Sequence, residues 1–472
     1  MSTLRLSSSE RRLLLSVFDI LVLNLALLIA LVWRLNYTFS WRTFREAPHY
    51  FLILTVLWFV WASLFDSYER PRTADASQSA WNAGGAALLT ALSYLLIPYY
   101  SPAFPTSRLS AFIFVGLVTC SVSLWRVFYA AVLSQPTFQQ RLLIVGAGRS
   151  GAELARALAG TPQMGNPYAG SGLQVVGFVD DDPEKAGTEI EGVPVIGDRN
   201  NLRQLVQDYE VDILALAVTH TPEIQPGLFQ ALLDCRALGV RLEPMTNLFE
   251  RFTGRVPVEH AGLNLHVVMP LSTSPMQRVF WVVKRLIDVM SALIGLAVLG
   301  FAVPWVALVN ALSCPGPLFY RQVRVGQGGK LFNVIKFRSM IPNAEEDSGA
   351  VWAVENDSRV THMGRIMRAT RIDELPQFLN VLKGEMSLVG PRPERPEFVS
   401  QLVKQVPFYQ ARYAVKPGIT GWAQVRYRYG SSVNDALIKL QYDLYYIKHQ
   451  GVYLELSILA KTAAVILGLK GR

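Results

Sequence analysis

The chain has 472 residues, of which 51% are hydrophobic, and its formal net charge is +9. A mean hydropathy of +0.26 is high for a soluble protein and favours a membrane protein with room for about three domains. Basic and acidic residues are interspersed, which argues against nucleic acid and favours lipid and phosphate partners, while widely spaced Cys120, Cys235 and Cys314 argue against disulfides and zinc.

Residues 1–135 contain apolar segments that predict a bundle of four transmembrane α-helices. The first, Leu13 to Trp33, follows several arginines and is about as long as a bilayer crossing requires. The other three are Tyr50 to Phe65, Trp81 to Tyr99 and Leu109 to Leu133. A cleaved signal peptide is the alternative for the first segment, although it lacks a small-residue cleavage site. Asp19, Asn24 and Arg126 lie within these segments, where pairing between helices is favoured over a transport role.

Residues 136–270 show the alternation of strands and helices that predicts a doubly wound, Rossmann-like α/β domain. An apolar strand leads into a GxGxxG motif at Gly146, Gly148 and Gly151, which would place a phosphate at the start of the next helix. The acidic run from Asp180 follows about thirty residues later, further on than a ribose-binding acid usually lies. Nucleotide sensing or regulation, a structural relic and dinucleotide catalysis all stay open for this domain.

Residues 271–472 begin with a second apolar segment at about residues 279–314, which has Pro304 near its middle. Its length permits a fifth span, whereas the proline can break the helix into a re-entrant hairpin that returns to the same membrane face. The sequence after Pro317 predicts a β-hairpin with a glycine-rich turn. Its second strand would deliver Lys336 and Arg338 together toward one face.

The stretch from Arg371 to Phe398 concentrates adjacent carboxylates, a helix start and an arginine held between prolines. Asp373 and Glu374 precede a Leu-Pro pair, which predicts a helix of about Leu375 to Lys383 that starts at the two carboxylates. Helix capping is the ordinary explanation for such a pair. The cations of the hairpin and Arg392 favour instead a metal-bridged diphosphate that a carboxylate can attack at phosphorus.

Three segments carry a specific resemblance, and they stand in the expected order and separation over roughly residues 276–472. They are KFRSM at 336–340, DELPQFLNVLKGEMSLVGPRP at 373–393 and KPGITGWAQV at 416–425. Together they resemble the bacterial polyisoprenyl-phosphate hexose-1-phosphate transferases, the initiating enzymes of exopolysaccharide and O-antigen synthesis. The stretches ERPEFV and YRYGSSVNDALIKLQYDLYYIK are most similar to the subgroup associated with exosortase systems.

The resemblance implies that a hexose-1-phosphate, most commonly that of glucose, passes from a UDP-hexose donor to undecaprenyl phosphate. It implies that Asp373 forms a covalent phosphosugar and that Glu374, with Asp373, holds the cofactor Mg²⁺. The substrate-binding residues that it implies are Lys336, Arg338, Arg392, Glu394, Thr420 and Gln424. Trp422 either stacks on the nucleotide base or lies in the core. The family's usual break in the re-entrant helix is a Ser-Pro pair, whereas this chain has Val303-Pro304.

The expected fold is thus a four-span α-helical bundle, a Rossmann-like α/β domain, and an α+β catalytic domain with a re-entrant membrane helix. Because nucleotide sugars are cytoplasmic, the N-terminus and the soluble domains are expected on the cytoplasmic side of a bacterial inner membrane, in contact with membrane lipid. The final segment, Leu440 to Leu469, predicts an interfacial amphipathic helix or packing within the catalytic domain. A homodimer is compatible with either the membrane domain or the Rossmann-like domain as the interface.

Two other function classes stay open. A membrane-anchored nucleotide-sugar oxidoreductase or epimerase would use the GxGxxG domain and would keep its activity without Asp373. A non-enzymatic scaffold for polysaccharide assembly would not depend on Asp373 for turnover at all.

Overall fold

The computed structural model describes residues 5, 8–35, 48–65, 67–68, 76–97, 108–133, 139–159, 173–218, 225–261, 265–270, 275–342, 344, 357–427 and 432–466. The chain divides into two compact units, Met1–Thr253 and Gly254–Arg472. Residues 254–261 and 265–270, which the sequence assigns to the Rossmann-like domain, contribute to the core of the second unit. There Val256 and Val268 pack in one cluster with Leu444.

The first unit begins with apolar helices that correspond to the four predicted segments. They are α1 Ser8–Leu35, α2 Pro48–Leu64, α3 Ala76–Leu95 and α4 Arg108–Phe128, which continues as a π-helical turn, Tyr129–Leu133. Among the described residues, α1 and α4 are long and apolar enough to cross a membrane, and α2 is apolar but shorter. Helix α3 is less apolar because its sequence includes Gln78, Asn82 and Thr90. It buries a row of alanines, among them Ala83 and Ala87, which permits close helix packing.

A buried ion pair joins the first and last of these helices. Arg126 in α4 lies 2.5 Å from the carboxylate of Asp19 in α1, and both side chains are completely buried. The hydroxyl of Tyr68 donates to the same carboxylate at 2.8 Å. Asn24 of α1 donates to the hydroxyl of Thr55 in α2 at 3.0 Å. The prediction that the polar residues of these segments pair between helices is therefore confirmed.

The second half of this unit is a sheet whose described residues form six strands in the order β3-β4-β2-β1-β5-β6. The strands are β1 Gln140–Val145, β2 Leu173–Val179, β3 Glu189–Ile190, β4 Val193–Gly197, β5 Ile213–Leu216 and β6 Arg241–Pro244. All neighbours are parallel except β3 and β4. Leu142 and Ile144 of β1 enter one core cluster, whereas Leu143 and Val145 enter another, so the sheet is covered on both faces.

Helices on the two faces of the sheet complete the doubly wound fold that the sequence predicts. They are α5 Arg149–Ala159, α6 Leu202–Asp208, α7 Pro226–Ala237 and α8 Met245–Thr253. Helices α5 and α8 contribute to the core on one face, and α6 and α7 to the core on the other. The central strand β1 lies between β2 and β5, so the loop after it opens at the position where doubly wound sheets bind ligands.

The second unit combines short strands with helices of very different length. Its helices are α9 Leu265–Val268, α10 Pro275–Ser313, α11 His362–Ala369, α12 Phe378–Lys383, α13 Pro396–Gln405, α14 Trp422–Arg426, α15 Val433–Lys448 and α16 Val452–Ile466. Strands β7 (Phe319–Val325) and β8 (Leu331–Phe337) form the predicted antiparallel hairpin. Strands β9 (Ser387–Val389) and β10 (Gly418–Thr420) pair in parallel.

Helix α10 is a continuous helix of 39 residues with Pro304 inside it. Proline removes one backbone donor, yet helical structure continues on both sides, so the helix is not interrupted where the sequence suggested a break. The helix exposes large apolar side chains along its length, including Val282, Leu286, Ile294, Phe301, Trp305 and Leu312. An apolar surface of this length marks a contact with membrane or protein rather than water.

Candidate active site

Strand β8 brings a lysine to the carboxylate pair. Antiparallel pairing sets Tyr320 opposite Lys336, and the next residue, Phe337, is fully buried on the other face of the hairpin. The side chain of Lys336 reaches Glu374, and its Nζ lies 3.2 Å from Oε1. The predicted approach of Lys336 to the dyad is therefore present in the structure.

The carboxylate pair lies in the first turn of a 3₁₀-helix, Ile372–Gln377, which leads directly into α12. Arg371 precedes it with a left-handed backbone, φ +60°, which turns the chain sharply into the helix. Asp373 and Glu374 are only 7% and 6% exposed. The sequence predicted an α-helix from Leu375. In the structure a tighter 3₁₀-helix precedes the α-helix, and both carboxylates are buried in it.

Arg392 approaches the same carboxylate from a rigid turn. One of its terminal nitrogens lies 3.0 Å from Glu374 Oε1. The turn packs tightly at Gly390, where a Cβ would stand 2.4 Å from the carbonyl oxygen of Lys416. The guanidinium of Arg412 donates to the Arg392 carbonyl at 3.0 Å and forms a buried ion pair with Asp443 at 2.8 Å. These contacts fix the backbone from which Arg392 reaches the dyad.

The two carboxylates have different partners. Glu374 is held by Lys336 and Arg392, and Arg371 adds a third cation at 3.7 Å. Asp373 is buried, and its Oδ1 has no hydrogen-bond partner in the described part of the chain. A buried acceptor without a partner is costly, which is the usual mark of an atom that a ligand or ion satisfies.

The electrostatic environment separates the pair further. Against the cost of burial, the charges of Arg392, Lys336 and Arg371 hold the pKa of Glu374 well below its usual range. Burial, and after it the negative charge of Glu374, raise the pKa of Asp373 above its usual value. Burial also lowers the pKa of Lys336, and the nearby carboxylate of Glu374 opposes that change. Adjacent acids whose pKa values are driven apart are typical of catalytic pairs with two different roles.

The structure does not bring Arg338 to the dyad. Its guanidinium donates to Asn310 Oδ1 at 2.6 Å and to the Cys314 carbonyl at 2.6 Å, and its Nε donates to the Pro317 carbonyl at 2.8 Å. These acceptors lie at the end of α10 and just after it. Arg338 therefore caps the exit of the long helix, and its donors are used by the protein itself.

Glu394 and Thr420 also contact other parts of the protein. The carboxylate of Glu394 faces Arg324 of β7 at 3.9 Å, and its carbonyl accepts from the Val325 N–H. This links the arginine turn to the hairpin. The hydroxyl of Thr420 lies 2.6 Å from that of Thr462 in α16.

Two residues were expected around the nucleotide. In the structure, Gln424 has a side-chain oxygen without a hydrogen-bond partner, whereas the indole N–H of Trp422 has a partner. Gln424 donates to the Ile419 carbonyl at 3.0 Å, and its buried Oε1 has no partner among the described residues. Trp422 is only 6% exposed, stacks on Tyr445 and donates to the Gly254 carbonyl. Of the two alternatives for Trp422, the structure supports the core position.

Two residues near the dyad, Arg368 and Gln377, were not predicted from the sequence. Arg368, in the last turn of α11, is among the charges that lower the pKa of Asp373. Gln377, one turn after Asp373, is 4% exposed, and its Nε2 is a buried donor without a partner among the described residues. Gln377 is the last residue of the DELPQ segment, but the segment does not show that its amide is left unpaired.

The donor set around Asp373 fits Mg²⁺ in the form in which proteins usually hold it with phosphate substrates. Among the described residues no group of three His, Cys, Asp or Glu side chains converges as a complete metal site. Mg²⁺ commonly takes only one or two carboxylates and completes its shell with phosphate oxygens and water. The unpartnered Oδ1 of Asp373 offers such a ligand, whereas Glu374 would have to share oxygens that Lys336 and Arg392 now contact.

The GxGxxG loop of the first unit has the form of a nucleotide-binding turn. Gly146 has φ +106°, and a Cβ on Gly151 would lie 2.1 Å from the Gly146 carbonyl oxygen. Asp180 follows the end of β2, next to β1, where ribose-binding acids lie, although its sequence spacing is long. Its carboxylate accepts from the Ala147 N–H at 2.7 Å and pairs with Lys185 at 3.2 Å, so protein groups occupy it.

Comparison with known proteins bears on both units. Residues 279–468 match the family described as "Bacterial sugar transferase", and residues 63–232 match a family described as "CoA-binding domain".

Three curated relatives show the extent of the similarity. The chain is 31% identical over 360 residues to UDP-glucose:undecaprenyl-phosphate glucose-1-phosphate transferase of Xanthomonas campestris, covering 75% of this chain and 72% of that protein. It is 32% identical to the Escherichia coli K12 protein of the same name, covering 74% and 72%. It is 41% identical to UDP-N-acetylgalactosamine-undecaprenyl-phosphate N-acetylgalactosaminephosphotransferase of Aeromonas hydrophila, but over only 50% of this chain and 54% of the relative.

Proposed function

The chain belongs to the bacterial sugar transferase family, and from that premise we propose that it transfers a hexose-1-phosphate from a UDP-sugar to undecaprenyl phosphate through a phosphosugar on Asp373. The family's named relatives make it a membrane-associated phosphotransferase that initiates polysaccharide synthesis. Glucose is the proposed sugar, because the two relatives with the longest alignments above act on UDP-glucose.

The observation that carries the proposal is the contrast between the two adjacent carboxylates. Glu374 is neutralised by Lys336 and Arg392, so it stays ionised and cannot easily leave its cations. Asp373 is equally buried but keeps an oxygen without a partner. A desolvated carboxylate with a free oxygen is a suitable nucleophile, and neighbouring cations suit a transferring phosphoryl group.

In the proposed first step, a carboxylate oxygen of Asp373 attacks the sugar-side phosphorus of the donor. A P–O bond forms to Asp373, and the P–O bond to the bridging oxygen breaks, so UMP leaves with that electron pair. In the second step, a phosphate oxygen of undecaprenyl phosphate attacks the same phosphorus and releases the Asp373 carboxylate. Both steps need charge stabilisation more than proton transfer.

The chain's own residues supply most of that stabilisation. Lys336 and Arg392 lie 3.2 and 3.0 Å from Glu374, so either can turn toward phosphate oxygens as the donor's charge enters. Gln377 offers a buried donor from the same helix. Mg²⁺ held at the dyad would neutralise the diphosphate and the leaving group.

Contacts within the first unit support a cytoplasmic N-terminus. Arg5, just before α1, is bonded to the Glu210 carbonyl at 2.7 Å and lies 3.2 Å from Asp212. These acceptors belong to the sheet domain, so the N-terminus and that domain lie on the same side of the membrane. We place this side in the cytoplasm of the inner membrane, where UDP-sugars are found.

Contacts of α10 favour a helix with both ends on one membrane face over a helix that spans the bilayer. Near its start, Lys284 bonds to the Val389 carbonyl at 2.9 Å, and near its end Asn310 accepts from Arg338 at 2.6 Å. Val389 and Arg338 belong to the same compact unit as the dyad. A helix that crossed a hydrocarbon layer of about 30 Å between those points would put one unit on both sides of the bilayer.

The test is release of UMP from UDP-glucose and other UDP-sugars by the purified chain with undecaprenyl phosphate and Mg²⁺. Asp373→Asn should abolish release, while Asp208→Asn, a change at an exposed carboxylate of the sheet domain, should not. Gly148→Val is the matched test of the alternative, because it adds a side chain to the GxGxxG loop at a position where a Cβ meets no neighbouring atom within 4 Å. An oxidoreductase or epimerase would instead change the sugar of the UDP-sugar without releasing UMP, in a reaction that survives Asp373→Asn and is lost in Gly148→Val. If both variants release UMP at the rate of the native chain, neither Asp373 nor the GxGxxG loop takes part in the reaction.

A further inference from the structure

The side chain of Asn380 joins the helix that follows the dyad to the strand that carries Lys336. Asn380 lies in α12 and is completely buried. Its amide nitrogen donates to the Asn333 carbonyl at 2.7 Å, and its amide oxygen accepts from the Ile335 N–H at 3.2 Å. Both of these backbone groups belong to β8. One side chain thereby bonds the strand at two points, immediately before Lys336.

These two bonds take the place of a neighbouring strand. Strand β8 pairs with β7 on one edge, and within the described ranges these two strands form the whole sheet. Asn333 and Ile335 are two residues apart, so their backbone groups point to one edge of the strand. The carboxamide of Asn380 supplies that edge with a donor and an acceptor, as a third strand would. Because a two-stranded hairpin is only marginally stable alone, such an attachment determines where β8 lies.

Asn380 is itself held in one orientation. Its amide nitrogen also donates to a carboxylate oxygen of Glu385 at 2.7 Å. Its backbone carbonyl accepts from the Glu385 and Met386 N–H groups at 3.0 and 3.2 Å, which fixes the end of α12. Helix α12 in turn packs closely on α10, where a Cβ on Gly295 would lie 2.3 Å from the Phe378 ring. The helix is thus a fixed support from which the amide reaches the strand.

Apolar contacts between the same elements do not fix the strand in this way. Val334 of β8 and Val381 of α12 are buried in one cluster with Ala292 of α10. Such contacts are non-directional, so they hold two elements together without setting the position of one along the other. The side chains of a strand alternate between its faces, so the direction of Lys336 depends on that position. The two directional bonds of Asn380 supply what the packing lacks.

We propose that Asn380 is a positioning residue, which holds the β8 backbone so that Lys336 meets the charge that develops at phosphorus. Its side chain bonds to β8 and to Glu385, so it acts through Lys336 and not on the substrate. The inference rests on the proposed function, since it concerns how one cation is held for the transfer at Asp373. Lys336 lies 3.2 Å from Glu374, and a displacement of about 1 Å can lower a rate roughly 10²-fold.

The experiment is a double-mutant cycle on UMP release by the full-length purified chain with UDP-glucose, undecaprenyl phosphate and Mg²⁺. Asn380→Leu has nearly the shape of asparagine but bonds to neither strand group, and it should lower kcat roughly 10²-fold. The KM for UDP-glucose should change little, because the cation acts on the transition state. Lys336→Met should lower kcat by a similar factor. The double variant should be no slower than Lys336→Met alone, because a residue that acts only through Lys336 then has nothing to position.

Two further variants separate positioning from a general loss of stability. Asn24→Leu makes the same substitution at an amide that bonds Thr55 in the membrane bundle, and it should leave kcat unchanged. Asn380→Ser keeps a hydroxyl that can satisfy one of the two strand groups, so its kcat should lie between those of the native chain and Asn380→Leu. If Asn380→Leu does not fold, Asn380→Ser replaces it in the cycle. Thermal unfolding in detergent shows which variants are folded.

Losses of kcat that multiply in the double variant would overturn the inference, because Asn380 would then act independently of Lys336. A native rate for Lys336→Met would overturn it as well, since no cation would need positioning. Failure of both Asn380 variants to fold would assign the residue to the fold instead. The proposed function fails separately, through release of UMP by Asp373→Asn at the native rate.

Discussion

Asp373 and Glu374 are neighbours in sequence, yet burial and partners give them opposite electrostatic properties. Three cations surround Glu374, while Asp373 keeps one unpartnered oxygen. The difference follows from the tight 3₁₀ turn, which directs successive side chains to different neighbours. Glu374 therefore holds the cations in place, whereas the oxygen of Asp373 can contact a substrate.

The first prediction at this scale concerns pH. Asp373 must be ionised to attack phosphorus, and burial and Glu374 raise its pKa, so the ionised fraction is lost as pH falls through a value above the usual about 3.9. Glu374, whose pKa is lowered, stays ionised throughout that range. The kcat/KM for UMP release should therefore fall on the acid side at a pH above the ordinary aspartate range. An acid limb at or below about 3.9 would contradict this assignment.

The second prediction concerns Gln377. If its buried Nε2 donates to the transferring phosphoryl group, Gln377→Leu should lower kcat roughly 10²-fold, as loss of one such donor does in other enzymes. The thermal stability of the free protein should change little, because removing a buried donor without a partner relieves a cost. Gln441→Leu is the control, since Gln441 is also buried with an unpaired atom but lies in α15. Equal losses of kcat in both variants would remove Gln377 from the site.

Lys336 reaches the dyad and Arg338 does not, and this difference has a physical reason. Lys336 lies within β8, so strand alternation fixes its direction, and it reaches the dyad as predicted. Arg338 is beyond the last residue of that strand, where alternation no longer applies, and it turns to the end of α10. Sequence patterns also cannot show which buried groups remain unpaired, and for that reason Gln377 was missed.

At the scale of elements, two helices have an inverted polarity. Helix α10 buries Lys284 and Asp288 while it exposes Val282 and Leu286. Helix α16 buries Glu455 and Lys461 and exposes Val452, Tyr453 and Leu456. A helix with apolar residues outward and charges inward suits lipid on its outer face. The described part of the last segment packs within the second unit, since Leu444 and Ile458 lie in its core, and the interfacial alternative stays a prediction. Residues 467–469 of that segment lie outside the described residues.

The third prediction tests the contact that joins these helices. Lys284→Met would leave buried Glu455 with the Tyr446 hydroxyl, at 2.6 Å, as its remaining side-chain partner in the described part of the chain, and should destabilise the protein by about 3–5 kcal/mol. Lys284→Met combined with Glu455→Leu should recover much of that loss, because no buried charge is then unpaired. Thermal unfolding in detergent measures both. Arg278→Met, at an exposed cation of the same helix, should leave the melting temperature unchanged.

The sequence pattern predicted the β-hairpin of the second unit and the alternation of strands and helices in the sheet domain. The two exceptions have local causes. At Asp373 the chain forms a 3₁₀-helix that it enters from Arg371, and residue propensities do not reveal the left-handed backbone of Arg371. Helix α10 continues through Pro304, so proline alone did not locate an interruption.

At the scale of the whole molecule, the order of domains was evident from hydropathy, since apolar segments precede an alternating α/β pattern and a second apolar helix. The boundary between the units was less evident. Residues 254–270 follow the sheet domain without a break in composition, yet Val256 and Val268 pack in the core of the second unit. A boundary of this kind depends on long-range packing, which a local pattern does not record.

The fourth prediction concerns the membrane side of the second unit. In a chain whose three native cysteines are replaced by alanine, a cysteine introduced at exposed Lys404 should be protected from an impermeant thiol reagent in intact cells. It should be labelled once the cells are permeabilised. A cysteine at Asp208 of the sheet domain serves as the cytoplasmic reference. Labelling of the Lys404 position in intact cells would show that α10 crosses the bilayer.

The central claim is tested most directly by mass spectrometry of the purified protein quenched with UDP-glucose and Mg²⁺ in the absence of lipid acceptor. The peptide that contains Asp373 should gain the mass of a hexose phosphate, and the gain should disappear on adding undecaprenyl phosphate. The same peptide from Asp373→Asn should stay unmodified. An unmodified Asp373 peptide in a preparation that turns over would contradict the account.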